Sequence, residues 1–135
     1  MRTIDLLLDD GPDSLADALR ALDPSRGTAI VAEGLLGYLP RAAVERIFAR
    51  VARALRPFPR GMFVSDMYLG EDLAKSLGAR TFRLLLGVFV RGRTHAQADD
   101  AVSAEATLRA SGFSRVTLHV PSGTRFVRIL EAHVG

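Results

Sequence analysis

The sequence has no cysteine and no tryptophan, and only one of its 18 basic residues, Lys75, is a lysine. Without cysteine, the chain cannot be a disulfide-stapled secreted scaffold or hold a cysteine-ligated zinc ion. The three histidines, His95, His119 and His133, follow none of the familiar metal-binding spacings. We therefore expect no metal site.

Long apolar runs are also lacking. No run approaches the roughly 18 to 20 residues that a membrane-spanning helix needs, and Asp5 interrupts the start of the chain where a signal peptide would continue as apolar residues. The 135 residues are 48% hydrophobic and contain no low-complexity tract, which suits one folded domain over residues 1–135. We expect a soluble, cytoplasmic protein with no membrane partner.

The charge is nearly balanced, with 18 basic and 15 acidic residues and a net charge of +3. The sequence pI of about 10.2 reflects the dominance of arginine, and a net charge of +3 gives little long-range attraction for a polyanion. Arg46, Arg50 and Arg53 share one helical face without interleaved aromatic residues. This pattern is typical of a solvated face, and we expect no nucleic-acid partner.

Short apolar runs alternate with amphipathic segments along the chain. Strands are predicted at 3–8, 28–32, 62–66, 116–120 and 126–133. Helices are predicted after a cap at Asp13 or Ser14, at about 41–55, from 71 to about 86, and at 98–111. The run at 84–90 fits a helix or a strand equally well. This alternation predicts an α/β fold: a mostly parallel sheet with an antiparallel C-terminal strand pair and helices on both faces.

Three acidic residues, Asp5, Glu33 and Asp66, fall at or near predicted strand ends, where open parallel sheets bind ligands. Glu33 directly follows an apolar strand, and Gly34 after it lets the backbone turn closely past a ligand. Glu33 either holds an ammonium group or a hydroxyl of a ligand, or caps the turn or pairs with an arginine. Tyr38 could offer its hydroxyl to a substrate or be structural.

The block Glu33–Pro40, which reads EGLLGYLP, closely resembles the signature of the leucine carboxyl methyltransferase family. Members of that family are class I S-adenosylmethionine-dependent O-methyltransferases. Weaker similarities lie in the same order at residues 4–13, 63–66 and 106–113. The resemblance implies that the fold is part of a Rossmann-like methyltransferase sheet.

The resemblance also implies a cofactor, S-adenosyl-L-methionine, and assigns site residues. Asp5 and Leu6 would border its adenine, and Glu33, with Gly34, would contact its methionine or ribose part. Tyr38 and Asp66, singled out by their own positions in the sequence, would line the substrate pocket. The methyl acceptor would be a carboxylate or hydroxyl of a small molecule or peptide. Methyl transfer to oxygen depends chiefly on positioning and exclusion of water, so no dedicated nucleophile or metal is needed.

The chain departs from the family in one large respect. The family's glycine-rich loop after its first strand, and the acidic residue after its second, have no counterpart in this sequence. We therefore expect the chain to correspond to the C-terminal half of such an enzyme and to be truncated and inactive alone. The alternative is a non-catalytic remnant or interaction module that dimerises through an exposed sheet edge. A small nucleic-acid-binding domain is a third, weaker hypothesis.

Overall fold

The computed structural model describes residues 3–75, 95–123 and 127–135. Its elements are α1 (Leu15–Arg20), β1 (Thr28–Ala32), a 3₁₀ turn (Leu36–Tyr38), α2 (Arg41–Leu55), β2 (Gly61–Met67), α3 (Gly70–Lys75), α4 (Ala101–Ala110), β3 (Arg115–His119) and β4 (Arg128–Val134). None of the helices in these ranges is long and apolar enough to cross a bilayer. The predictions for residues 76–94, including the run at 84–90, lie outside the described residues.

The four strands form one open sheet in the order β1-β2-β4-β3. β1 and β2 are parallel, because helix α2 carries the chain back between them. β4 is antiparallel to both β2 and β3. The α/β class and the antiparallel C-terminal pair are thus confirmed, whereas the described sheet has one parallel pair and two antiparallel pairs instead of being mostly parallel.

One face of the sheet forms the core with the helices. Phe63 of β2 and Leu130 and Ala132 of β4 are buried in a cluster with the apolar stripe of α2, which includes Phe48. The Phe48 and Phe63 rings meet edge to face at a centroid distance of 6.1 Å. Helix α4 packs on the same side, since it contacts both α2 and β3. The predicted apolar stripe of α2 is therefore the core-facing side of that helix.

The opposite face of the sheet is much less covered. Met62, Val64 and Ile129 on this face are half-buried, and Val31 of the edge strand β1 is 69% exposed. Contacts between described helices and the sheet lie on the core face. The expectation of helices on both faces is therefore not met in the described part of the chain.

The N-terminal segment is not the buried strand predicted at residues 3–8. Ile4, Leu7 and Leu8 are exposed, and the backbone N–H of Asp5 donates instead to the carbonyl of Asp13 at 2.8 Å. The Asp5 carboxylate accepts the Leu7 N–H at 2.8 Å. This local turn competes with extended backbone, which explains why the apolar pattern alone was misleading.

Two helix boundaries follow the expected capping chemistry. Ser14 caps α1, with its hydroxyl accepting the Asp17 N–H at 3.2 Å. Gly112 ends α4 with φ +110°, a conformation that favours glycine, and the buried Phe113 donates its N–H to the Leu108 carbonyl. Both ends are thus encoded locally in the sequence.

Candidate functional site

A cleft of about 410 Å³ lies at the carboxyl ends of β1 and β2. Its walls come from the end of β1 and the turn after it, from the end of β2, and from the first residues of β4. Because β1 and β2 are parallel, their polar C-terminal residues meet at the same edge of the sheet. The cleft therefore brings Glu33, Gly34 and Asp66 together, as the sequence pattern predicts.

Glu33 is the acidic residue of this cleft that is free to act on a ligand. Its side chain is exposed, and its carboxylate makes no hydrogen bond or ion pair to another described residue. The alternatives in which Glu33 caps the turn or pairs with an arginine are thus not seen in the described residues. Gly34 beside it has φ +61°, and a Cβ placed there would meet nothing within 4 Å. The turn leaves open space against the backbone.

Asp66 faces the turn that carries Glu33. Its Oδ1 accepts the backbone N–H of Gly34 at 2.9 Å, a contact between positions 32 residues apart. The Tyr68 side chain lies close to the Asp66 carboxylate. Burial raises the pKa of Tyr68, and the nearby Asp66 carboxylate raises that pKa further, so the phenol stays protonated. Asp66 therefore holds the turn through Gly34 and has Tyr68 as a neighbour.

Gln97 is a site-adjacent residue that sequence reasoning missed. Its side-chain oxygen accepts the Tyr68 backbone N–H at 2.6 Å, and its own N–H donates to the Tyr68 carbonyl at 3.0 Å. Gln97 is 2% exposed, and its Nε2 has no hydrogen-bond partner among the residues that the structure describes. A single glutamine between alanines carries no periodic or motif signal, so its role depends entirely on the contact with Tyr68.

The 3₁₀ turn of the EGLLGYLP block borders the same region. Tyr38 is 41% exposed, and it lies close enough to Tyr68 to influence its pKa. Gly37 in this turn accepts the His95 backbone N–H at 2.8 Å through its carbonyl oxygen. A Cβ at Gly37 would come within 3.2 Å of the Tyr68 ring, so the glycine permits this close packing. Tyr38 thus lies at the rim of the site and outside the cleft lining.

Asp5 and Leu6 lie in the N-terminal turn and do not line the cleft. Leu6 is half-buried against the core, and its carbonyl accepts a hydrogen bond from Arg50 of α2 at 3.4 Å. Arg50 also hydrogen-bonds to Asp9 at 2.8 Å and lowers the pKa of that carboxyl. The contact of Asp5 and Leu6 with adenine, implied by the resemblance, stays a prediction.

A second cleft, of about 670 Å³, lies between α1, α2 and the N-terminal turn. Its charged rim is paired within the protein, because Arg20 contacts Asp10 at 3.0 Å and Arg53 contacts Asp9 at 3.6 Å. It therefore lacks the free carboxylate that distinguishes the strand-end cleft. Across the described ranges, no cluster of histidine and acidic side chains is placed to hold a metal ion.

Comparison with known proteins gives a family match at the N-terminal part of the chain. Residues 1–52 match the family model of leucine carboxyl methyltransferase. The matched range includes the turn at Glu33 and Gly34 and the rest of the EGLLGYLP block. No curated protein matches the sequence.

Solved structures share the fold at low sequence identity. A possible exported protein from Bordetella parapertussis is 18% identical with a TM-score of 0.60, covering 86% of this chain and 42% of its own. An O-methyltransferase family protein from Burkholderia thailandensis is 14% identical with a TM-score of 0.60, and the match covers 97% of this chain and 34% of that protein. Human N-acetylserotonin methyltransferase, solved in complex with S-adenosylmethionine, is 16% identical with a TM-score of 0.56, and the match covers 84% of this chain and 31% of that protein.

This chain spans between about a third and two-fifths of the length of these three structures. The match in fold and the family match rest on different observations, since one compares backbones and the other compares sequences. The resemblance to the leucine carboxyl methyltransferase family is therefore confirmed over residues 1–52, and the described residues share the α/β fold of these solved structures, two of which are named as methyltransferases.

Proposed function

We propose that this chain is part of an S-adenosylmethionine-dependent O-methyltransferase of the leucine carboxyl type, and that the strand-end cleft holds one end of the cofactor. The observation that carries the proposal is the unpaired carboxylate of Glu33, which lies beside this cleft within the matched residues 1–52. On its own the chain supplies a partial cofactor site, in keeping with the share of the solved structures that it spans.

The residues of the cleft fit such a ligand. The Glu33 carboxylate can accept charge-assisted hydrogen bonds from the ammonium group or the ribose hydroxyls of the cofactor. Gly34, with φ +61° and open space at its Cβ position, lets a ligand approach the backbone. Val31, Val64 and Ile129 give the cleft apolar walls. Together these features favour a polar, cationic ligand over a purely apolar one.

When bound, the cofactor supplies an electrophilic methyl group on a sulfonium. That methyl group would be transferred to the acceptor oxygen, with S-adenosylhomocysteine as the other product. The task of the protein is to orient the two reactants and to exclude water. Glu33 and Gly34 would hold the cofactor, Asp66 lies beside them in the cleft, and Tyr38 lies at the rim, on the side from which an acceptor would approach.

We extend the proposal to the acceptor and the location. A carboxylate or hydroxyl oxygen of a small molecule or peptide is the expected acceptor, because family resemblance implies O-methylation. The expected location is the cytoplasm, where the cofactor would be supplied. Neither nucleic acid nor membrane is part of the proposal.

Calorimetric titration of the chain with S-adenosylmethionine and with S-adenosylhomocysteine tests the proposal. Titration to about 1 mM ligand detects binding as weak as about −4 kcal/mol. Glu33→Gln removes the charge but keeps the shape, and we expect it to weaken binding by about 10-fold or more, because a hydrogen bond to a charged group contributes about 1.5–3 kcal/mol. Glu105→Gln, an exposed change on α4, is the matched control and should leave affinity unchanged.

Two results would count against the proposal. If circular dichroism verifies that the chain is folded and neither ligand gives heat on titration, cofactor binding by this chain is excluded. Equal affinities for wild type and Glu33→Gln would remove Glu33 from the site, even if the ligand binds elsewhere.

A second candidate function is an interaction module that dimerises through its sheet edge. The observation that favours it is the outer edge of β1, which has no partner strand in the described ranges and carries the 69% exposed Val31. Sedimentation velocity over a range of concentrations tests this candidate. A chain that binds no cofactor and self-associates would support the interaction module over the enzyme.

A further inference from the structure

The turn that carries Glu33 is held in place from the neighbouring strand. The N–H of Gly34 donates to Oδ1 of Asp66 at 2.9 Å, which links the second residue after β1 to the penultimate residue of β2. Gly34 has φ +61°, a left-handed conformation that turns the chain out of the extended path of the strand. The Asp66 carboxylate thus fixes the backbone at the point where the chain leaves the sheet.

Asp66 lies beside a residue whose backbone is fixed. The Tyr68 side chain is close to the Asp66 carboxylate, which raises the pKa of Tyr68. The Tyr68 backbone is in turn held by the buried Gln97 at both its N–H and its carbonyl, at 2.6 Å and 3.0 Å. A series of contacts therefore runs from Gln97 through Tyr68 and Asp66 to Gly34.

These contacts separate the roles of the two acidic residues in the cleft. Glu33 has no described partner, whereas Asp66 accepts the Gly34 N–H and lies close to Tyr68. A carboxylate that accepts a backbone N–H helps to hold the segment that it contacts. A carboxylate without such partners is the one available to a ligand.

We propose that Asp66 is a positioning residue, whose carboxylate holds the Gly34 N–H and thereby sets the direction in which Glu33 presents its side chain to the cofactor. This inference rests on the proposed function for the role of Glu33. It differs from the sequence-based expectation, in which Asp66 lines the substrate pocket as a contact residue.

The first test does not need a ligand. The amide proton shift and solvent-exchange rate of Gly34 are measured by ¹H–¹⁵N NMR in wild type, Asp66→Ala and Asp66→Asn. The alanine variant removes the acceptor, and we expect Gly34 exchange to rise by about 10-fold, as for loss of a charge-assisted hydrogen bond. The asparagine variant keeps an Oδ1 acceptor, and its amide can pair with the Tyr68 hydroxyl, so exchange should stay near wild type.

The second test measures affinity for S-adenosylhomocysteine in the same variants. We expect Asp66→Ala to weaken binding by about 10-fold, through loss of the Glu33 orientation, and Asp66→Asn to stay within about threefold of wild type. Rescue by asparagine is the signature of positioning, because a charged contact to the ligand would be lost equally in both variants.

The outcomes are separable. If Gly34 keeps its shift and slow exchange in Asp66→Ala, or if Asp66→Asn loses as much affinity as Asp66→Ala, the positioning role is overturned. If no form of the chain binds S-adenosylhomocysteine, the proposed function fails, while the Gly34 amide still decides whether Asp66 holds the turn. If the circular dichroism spectrum of Asp66→Ala differs from that of the wild type, the test rests on Asp66→Asn. That variant must then keep the wild-type shift and exchange rate of the Gly34 amide and the wild-type affinity for S-adenosylhomocysteine, and loss of either overturns the positioning role.

Discussion

Asp72 and Arg128 join α3 to β4 by a two-pronged ion pair. The Asp72 carboxylate accepts hydrogen bonds from Nε and Nη2 of Arg128 at 2.6 Å and 2.8 Å. Asp72 is 7% exposed, so this pair is much more buried than the other arginine–carboxylate pairs described. Hydrogen bonding to Asp72 raises the pKa of Arg128, so the guanidinium stays charged throughout the working range of pH.

We predict that Asp72→Ala lowers the free energy of unfolding by about 2 kcal/mol, between the values typical of exposed and of buried pairs. The cost arises because Arg128 is left partly buried without its main partner. Urea denaturation followed by circular dichroism measures it. Glu105→Ala, which breaks the exposed pair with Arg109, is the control and should cost less than about 0.5 kcal/mol. Similar losses in the two variants would contradict the prediction.

For single residues, the sequence pattern predicted the positions that follow from the order of residues along one strand. Glu33 directly follows an apolar run and Asp66 lies at the end of another predicted strand, so their position at the carboxyl edge could be predicted from order alone. The difference between the free and the engaged carboxylate could not, because it depends on Gly34, Tyr68 and Gln97 in three dimensions. Local sequence carries no information on contacts across 29 or 32 positions.

Among the elements, those with strong periodicity were predicted best. The structure has α2 at Arg41–Leu55 and β1 at Thr28–Ala32, the bounds that the pattern predicts. The segment at residues 3–8 was predicted wrongly, because its apolar residues resemble a strand while the Asp5 side chain stabilises a turn. The direction of β4 relative to β2 is likewise a tertiary feature, which the strand pattern does not specify.

The pairing of β3 with β4 contains a pH-sensitive contact. Glu131 of β4 accepts hydrogen bonds from His133 at 2.7 Å and from His119 of β3 at 3.0 Å. These hydrogen bonds lower the pKa of Glu131 in the folded chain. Because the folded pKa lies below the unfolded one, the contact stabilises the fold above the unfolded pKa of about 4.3 and loses this effect as the pH falls through the folded pKa.

We therefore predict that Glu131→Gln makes stability less sensitive to acid. Between pH 5 and 3, the urea concentration at the unfolding midpoint should fall further for the wild type than for the variant. The midpoints of the two proteins should differ most near neutral pH. Glu45→Gln, on the exposed side of α2, serves as the control and should follow the wild-type pH profile. A wild type and a Glu131→Gln variant with parallel profiles would show that the histidine contacts do not stabilise the folded carboxylate.

At the scale of the whole molecule, the buried surface of the described residues is one-sided. Their core lies between the helices and one face of the sheet, whereas the other face carries half-buried apolar side chains and ends at β1, whose outer edge has no partner strand in these ranges. β1 reads TAIVA, with no charge and no proline to discourage pairing. The family resemblance anticipates a partial sheet, but which edge is open could be learned only from the strand order.

The open edge gives the last prediction. If β1 pairs with a second copy of the chain, the wild type should show concentration-dependent association in sedimentation velocity, and Val31→Lys should shift it to monomer, because a lysine on an edge strand disfavours further pairing. Val102→Lys is the matched control, since Val102 is 78% exposed but lies on α4, away from the edge. If the wild type stays monomeric at high concentration, edge pairing is contradicted. If Val31→Lys and Val102→Lys weaken association equally, the association results from general surface hydrophobicity and not from β1.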